Sequence, residues 1–342
     1  MKILVVDDRT ITVRALKEIL SRELDRSGHV ISTASIDRTP LLTSSLPTVR
    51  EFYGSGEEFA AQTGDADILV VHKAPVTEEV LRSAARLKLI ACARNFPANV
   101  DLAAASRRGI PVVNAPGRAS GATAELAIAL MLALARKITQ ADSLVKTSGE
   151  RAWDYAVRAE LEGTELSGKT AGIIGFGRVG KEVAKRLKAF EMRVLAFSEH
   201  APEEEIRAYG AEPAALEKLL RSSDFVTLHR QLTEKTERII GEKELGMMKK
   251  SAYLINTARG GLIDEQALFS ALAAGRIRGA ALDVLDEEPP FPANPLLGLK
   301  NVLLTPHLGG KTAEVPLRSA RLIAEEIKRF LRGEKLHNVI SR

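Results

Sequence analysis

At 342 residues the chain exceeds what one hydrophobic core usually holds, so two domains are the default. A hydrophobic fraction of 45% and a charged fraction of 27% are ordinary for a soluble globular protein. The 49 basic residues against 44 acidic ones leave a net charge of +5 with no long run of one sign, which is compatible with anionic small ligands or with no functional meaning and carries no signature of nucleic-acid binding.

Taken from the N-terminus, strand-like runs alternate with amphipathic stretches, the pattern of a parallel α/β protein. The first run is Lys2 to Val6, followed by a helix-like segment through Leu24. Next come Ile68 to His72, helix-like Glu78 to Leu87, then Leu89 to Ala93 and Ile110 to Asn114. A long apolar helix is expected over Ala122 to Ile138, and a more polar stretch from Thr139 to Leu166 carries Trp153, read as a packing residue. Later strands are predicted at Arg193 to Phe197, Asp224 to His229, Ala252 to Thr257, Gly279 to Val284 and Asn301 to Thr305. Helix-like stretches include Ala215 to Leu220, Glu265 to Ile277 and Ala320 to Leu331. The long apolar helix and the C-terminal one are read as the two bridges between lobes of one plan, with a cleft between them where small-molecule sites favour forming.

Two features of the first lobe are negative. The opening MKILVVDD, with Asp7 and Asp8, is like the start of a phosphoacceptor receiver domain, which also needs an aspartate at the end of the third strand. The run ILVVHK ends instead in His72 and Lys73, so Asp7 and Asp8 are read as strand-end polar residues. The single cysteine, Cys92, lies in the apolar run LKLIACA and is expected to be a buried, inert thiol; no internal disulfide can form, which fits a reducing compartment. The N-terminus meets acidic residues too soon for a signal segment, and the apolar stretch Leu126 to Ala135 is too short to span a bilayer, so a cytoplasmic location without membrane contact is expected.

The segment GIIGFGRVG (172–180) places Gly175, Gly177 and Gly180 in G-x-G-x-x-G spacing between a strand-like run, KTAGII, and a helix whose apolar stripe is Val179, Val183, Leu187 and Phe190. Gly175 allows a tight turn, Gly177 lets backbone approach a pyrophosphate, and Gly180 lets helix and strand pack closely. The free N–H groups at the helix start then meet phosphates, so a dinucleotide site is expected.

Three ionisable groups follow later strands, at the edge where open α/β sheets bind ligands. Arg259 ends AYLINTAR, Glu288 lies in DEEPP, and His307 follows NVLLTP. A histidine can exchange a proton with a hydroxyl or carbonyl oxygen, a carboxylate on its second nitrogen fixes the tautomer, and an arginine grips a carboxylate with two prongs. Beside a nicotinamide, that set makes a hydride-transfer site. The histidines His29, His72, His200, His229 and His337 show no metal-ligand spacing, and no metal is expected.

Over about Ala66 to His307 the chain resembles the D-isomer-specific 2-hydroxyacid dehydrogenases, phosphoglycerate dehydrogenase-like in pattern. The resemblance is carried by ANVDLAAASRRGIPVVNAPG (98–117), ELSGKTAGIIGFGRVG (165–180), INTARGGLIDEQAL (255–268), LDVLDEEP (282–289) and LTPHLGG (304–310). It implies two Rossmann-like lobes with parallel sheets: a discontinuous, flavodoxin-like substrate domain over 1–112 and 308–342, and an inserted NAD(P)-binding domain over 113–307. It implies Arg259 on the substrate carboxylate, His307 as acid/base and Glu288 as its paired acid. Cofactor contacts are implied at Gly175, Gly177, Arg178, Val179, Gly180, Ser198, Glu199, Thr257, Ala258, Asp283 and Gly309, with Asp283 beside the nicotinamide carboxamide. A homodimer is implied, with the long helix near the subunit contact.

The chain departs from the family pattern in three places. VLAFSEH (194–200) puts Ser198 where an aspartate usually holds the adenosine ribose, with Glu199 next to it; Ser198 leaves room for a 2′-phosphate and Glu199 opposes one, so NAD is expected over NADP. ARNFPANVD (93–101) carries Asn95 and Phe96 where glycines are common, and Phe96 either narrows the substrate pocket or turns into its own core. Lys73 and Arg94 either add positive charge there, favouring a second anionic group, or serve as solvated surface residues. GRASGATAE (117–125) has Ala119 at a frequent asparagine position. Two other readings are carried forward: a nicotinamide-sensing binding protein of the corepressor type, and formate oxidation, against which Glu288 speaks because that relative pairs its histidine with an amide.

Overall fold

The structure is a computed structural model describing residues 1–7, 13–24, 28–36, 48–50 and 52–340; Asp8 lies outside them. The chain divides into two units, Met1–Arg118 with Thr312–Arg342, and Ala119–Lys311.

The first unit runs β1 (Lys2–Asp7), α1 (Val13–Leu24), β2 (Val30–Ser35), α2 (Gly56–Thr63), β3 (Ile68–Val71), α3 (Glu78–Ser83), β4 (Leu89–Cys92), α4 (Leu102–Arg107) and β5 (Val112–Asn114). Its described strands pair in the order β2-β1-β3-β4-β5, all parallel. Alternation along β1 explains why such strands read as unbroken apolar runs: Leu4 and Val6 enter one core layer, Ile3 and Val5 the other. The second layer is closed by Leu16 and Leu20 of α1 and by Ala320, Ile323, Ala324 and Ile327 of the C-terminal helix.

The second unit runs α5 (Ser120–Ala135), α6 (Ile138–Ser148), a 3-10 turn Gly149–Trp153, α7 (Tyr155–Ala159), β6 (Thr170–Ile174), α8 (Arg178–Ala189), β7 (Arg193–Phe197), α9 (Glu203–Ala208), β8 (Glu212–Pro213), α10 (Leu216–Ser222), β9 (Phe225–Leu228), α11 (Glu242–Met247), β10 (Tyr253–Asn256), α12 (Glu265–Ala273), β11 (Gly279–Leu282) and β12 (Val302–Leu304); α13 (Glu314–Leu331) then belongs to the first unit. Its strands pair in parallel as β12-β11-β10-β9-β6-β7-β8. The apolar helix α5 buries Ala124, Ala127, Ile128 and Met131 with Val183, Ala184 and Leu187 of α8 in one layer over β6. Among the described residues no helix is long and apolar enough to cross a membrane.

The two sheets share a device at their strand N-termini. The carboxylate of Asp67, before β3, accepts from the Lys2 amide of β1 (2.8 Å); that of Asp224, before β9, accepts from the Thr170 amide of β6 (2.9 Å). The Lys2 amide holds the Asp67 carboxyl below its usual range against the cost of burial, with Lys88 and Arg86 adding to it. At Asp224 burial raises the carboxyl, and Lys249 and the Thr170 amide outweigh it, leaving it lowered.

Trp153 is not a packing residue within this chain. It is 69% exposed, and neither α6 nor α7 buries a residue; of the turn between them only Ala152 is buried.

Candidate functional site

In the second sheet the chain winds outward from β6 through β7 to β8, then crosses back to β9 on the other side of β6. Loops after β6 and β9 therefore diverge, and a crevice opens at the carboxyl ends of those strands. A hollow of about 310 Å³ lies there, lined among others by Gly175, Gly177, Ser198, Glu199, His229 and Arg230. Gly175 has φ +99°, and a Cβ on it would sit 2.6 Å from the His229 carbonyl oxygen. A Cβ on Gly180 would meet the Gly175 carbonyl at 2.3 Å, so both positions exclude a side chain on packing grounds. Gly177 differs: a Cβ there would meet nothing. The open space before Gly177 is where a pyrophosphate fits, at the start of α8, whose first turn includes Arg178 and Val179.

Two buried polar atoms in this unit have no partner, Thr257 Oγ1 and His229 Nδ1. Burial pushes the His229 imidazole down to about 3, so the ring is neutral, with Nε2 on Thr227 Oγ1 at 2.9 Å. His229 lines the hollow, and an unpaired buried group there is what a polar ligand would satisfy, so the residues fit a dinucleotide. Ser198 is turned inward: its Oγ accepts from the His200 and Ala201 amides (3.2 and 3.0 Å). Glu199 pairs with Arg230, a residue that no motif in the sequence marks.

Glu288 and His307 come from the loops after β11 and β12 and meet at 2.6 Å, Glu288 Oε2 to His307 Nδ1. The histidine loop is held from below by Asp283, whose buried carboxylate accepts from Thr305 Oγ1 (2.6 Å) and from the amides of Leu308 (2.7 Å) and Gly309 (2.8 Å). The His307 backbone, at φ +54°, donates its amide to the Asp283 carbonyl (2.9 Å), so this less favourable conformation is enforced by the clamp. Glu265 supports the carboxylate loop through the Asp286 amide (2.6 Å) and Asn294 Nδ2 (3.3 Å).

Arg259 follows β10 and is exposed, its Nη1 on the Ala258 carbonyl (2.7 Å). Asn256 ties the turn on both sides, accepting from the Ala258 amide (3.0 Å) and donating to the Arg259 carbonyl (2.8 Å). Next to it, a Cβ on Gly260 would lie 2.0 Å from the Leu285 carbonyl carbon. Only glycine lets the Arg259 turn press against the loop leading to Glu288.

In the first unit, Lys73 follows β3 and donates to Tyr53 Oη (3.0 Å), its ammonium 4.5 Å from that ring's centre. Arg94 is buried and follows β4. Asn95 Oδ1 accepts from the Gly117 amide (3.2 Å). Phe96 is 42% exposed and does not turn into the core of its unit. Tyr53, Asn256, Glu265 and Arg230 carry no local sequence signal, because each acts through a neighbour that the fold supplies. Among the described residues no three His, Cys, Asp or Glu side chains gather as a metal site.

The switch-point hollow and the parallel strand order define an α/β protein of the nucleotide-binding class, with an acid–histidine pair at the ends of its strands. Residues 128–309 match the family described as D-isomer specific 2-hydroxyacid dehydrogenase, NAD binding domain. A D-3-phosphoglycerate dehydrogenase of Methanocaldococcus jannaschii is 47% identical over 83% of this chain and 53% of its own length. A glyoxylate reductase of Thermococcus litoralis is 43% identical over 78% of this chain and 81% of its own. An acyclic imino acid reductase solved with NADPH and D-arginine superposes with a TM-score of 0.79 at 30% identity, covering 100% of both chains. The chain belongs to the D-isomer-specific 2-hydroxyacid dehydrogenase family. It spans about half the length of the archaeal phosphoglycerate dehydrogenases it matches, 53% for the Methanocaldococcus jannaschii protein and 54% for that of Archaeoglobus fulgidus. The cofactor type of the family and of its matched domain is NAD(P).

Proposed function

We propose that the protein is an NAD(P)-dependent dehydrogenase interconverting a D-2-hydroxy acid and its 2-oxo acid. The observation that carries this reading is the 2.6 Å pair of Glu288 and His307 on a loop clamped by Asp283. A bound nicotinamide would supply or accept a hydride at substrate C2. Glu288 on Nδ1 fixes the ring and leaves Nε2 to give or take the proton of the C2 oxygen, while offsetting the charge of the imidazolium formed on oxidation. Arg259 grips the substrate carboxylate and orients C2. Gly175, Gly177, Arg178, Val179, Gly180, Glu199, Thr257, Ala258 and Gly309 serve the cofactor, with Asp283 beneath the histidine loop as well as near the nicotinamide. Lys73, Arg94, Asn95 and Phe96 serve the substrate, the two cations favouring a second anionic group. NAD is the expected cofactor, because Glu199 stands at the ribose position while Ser198 is held by its own turn.

The protein is read as a cytoplasmic homodimer. The exposed apolar residues Ile138, Val145, Trp153 and Tyr155 of the α6–α7 stretch suit a second copy of this chain. A nicotinamide-sensing binding protein is the rival reading; a pure sensor has no use for the Arg259, Glu288 and His307 set.

Loss of reduced-nicotinamide absorbance, followed with NADH and NADPH across a panel of 2-oxo acids, tests the activity. Turnover with one acid is expected, and His307→Ala should lower it by a factor of about 10² or more while NADH still binds. Unchanged turnover in that variant removes the acid/base assignment. Tight NADH binding with no turnover on any acid favours the sensor.

A further inference from the structure

The hollow at the switch point contains an ion pair of unequal partners. Arg230 follows β9, its side chain only 12% exposed, its guanidinium 5.7 Å from the centre of the Phe197 ring. Its partner Glu199 follows β7 and is 52% exposed. The cation is therefore packed in place and the anion is free to leave. A second pair has the same bias, Lys181 at 22% with Glu205 at 40%, 2.5 Å apart, and Glu205 also lines the hollow. The other polar side chains lining the hollow are Ser198, held by its own turn, His229, kept neutral by burial, Glu205, paired with Lys181, and His200 and Gln231.

An acid after the second strand of a dinucleotide fold is where the adenosine ribose hydroxyls come, and a 2′-phosphate there needs a cation. Here a single contact offers both. With a ribose hydroxyl, Glu199 stays on Arg230 and accepts from the hydroxyl. With a 2′-phosphate, the phosphate takes the place of the carboxylate on the guanidinium, and Glu199 swings to solvent. Removing both anions would leave a largely buried guanidinium unpaired, which is costly, so one of them is always present. Arginine suits the exchange because its planar fork meets carboxylate and phosphate alike.

We propose that Glu199 and Arg230 form an exchangeable ion pair that admits a dinucleotide with or without a 2′-phosphate, and that Arg230 is the residue that sets cofactor specificity. The proposal rests on the dinucleotide reading of this hollow and refines its expected preference for NAD.

Binding to the purified full chain, without substrate, tests it. Dissociation constants for NADH and NADPH are measured by fluorescence, and those for 5′-AMP and 2′,5′-ADP by calorimetry to isolate the 2′-phosphate. In the native protein the two cofactors should bind within about tenfold of each other. Arg230→Leu should raise the NADPH/NADH ratio of dissociation constants about tenfold or more, the loss of a hydrogen-bonded charge contact. Glu199→Gln should lower that ratio, since it removes the competing anion, and Arg230→Lys should fall between native and Leu. If Arg230→Leu does not fold, Glu199→Gln at its exposed position carries the test. A ratio unmoved by either variant, or a native protein that excludes NADPH a thousandfold, overturns the proposal while the dinucleotide site stands. Failure of both cofactors to bind the native protein overturns the site itself, and the proposal with it.

Discussion

His229 shows how one side chain can be committed by burial. Its ring is pushed down to about 3, far below the 6.5 of an exposed histidine, with Nε2 on Thr227. A lowered folded value means that the unfolded chain binds the extra proton first. The stability contributed by the neutral ring is therefore present above about pH 6.5 and is lost as pH falls toward the folded value. Thermal melting at pH 7.5 and pH 5 should show a larger drop for the native protein than for His229→Gln. Equal drops in the two proteins would mean that the ring is not held neutral. Neither its burial nor its partner can be read from the sequence, where His229 figures as the end of a strand-like run and as one of several histidines without metal spacing.

At the scale of elements, the candidate site is a set of loops pressed together by glycines and staples. Gly260 is the tightest of these contacts, with Leu285 carbonyl carbon 2.0 Å from where a Cβ would be. Gly260→Ala must part the Arg259 turn from the Glu288 loop. Overpacking of this kind costs about 1–3 kcal/mol of stability, and a displacement of about 1 Å between reacting groups costs about 10² in rate. We expect a folded variant with turnover reduced at least tenfold on the acid found by the panel; native turnover would show that the two loops need not touch. The strands carrying these loops are legible to within a residue or two, as at Gly279–Leu282 against the expected Gly279 to Val284. The shortest strand, Glu212–Pro213, is not, and neither is Val30–Ser35, whose edge position leaves most residues exposed and breaks the apolar run.

Across the whole molecule, both units are parallel sheets whose first strand lies inside the sheet, not at its edge, and both lock the strands flanking the switch with a buried or half-buried aspartate, Asp67 and Asp224. The surface of the α6–α7 stretch stays open, with Trp153 69% and Tyr155 88% exposed. If a second copy covers it, replacing both residues by glutamate should convert the dimer to monomers in sedimentation at micromolar concentration. A native protein that sediments as a monomer would remove the dimer reading.

The α/β class, the glycine turn and the family resemblance were all written in local spacing: apolar runs of strand length, three glycines at fixed intervals, charged residues just past strand ends. The pairing of Glu288 with His307 in one chemistry came through the same resemblance. Folding alone revealed how Asp283 clamps the histidine loop, why Gly260 cannot carry a side chain, that Ser198 is spent on its own turn, and that Arg230 stands against Glu199. Most of those contacts join loops that follow different strands, 31 residues apart in the case of Glu199 and Arg230. Nothing local marks such a pair, since what brings its members together is the strand order of the sheet.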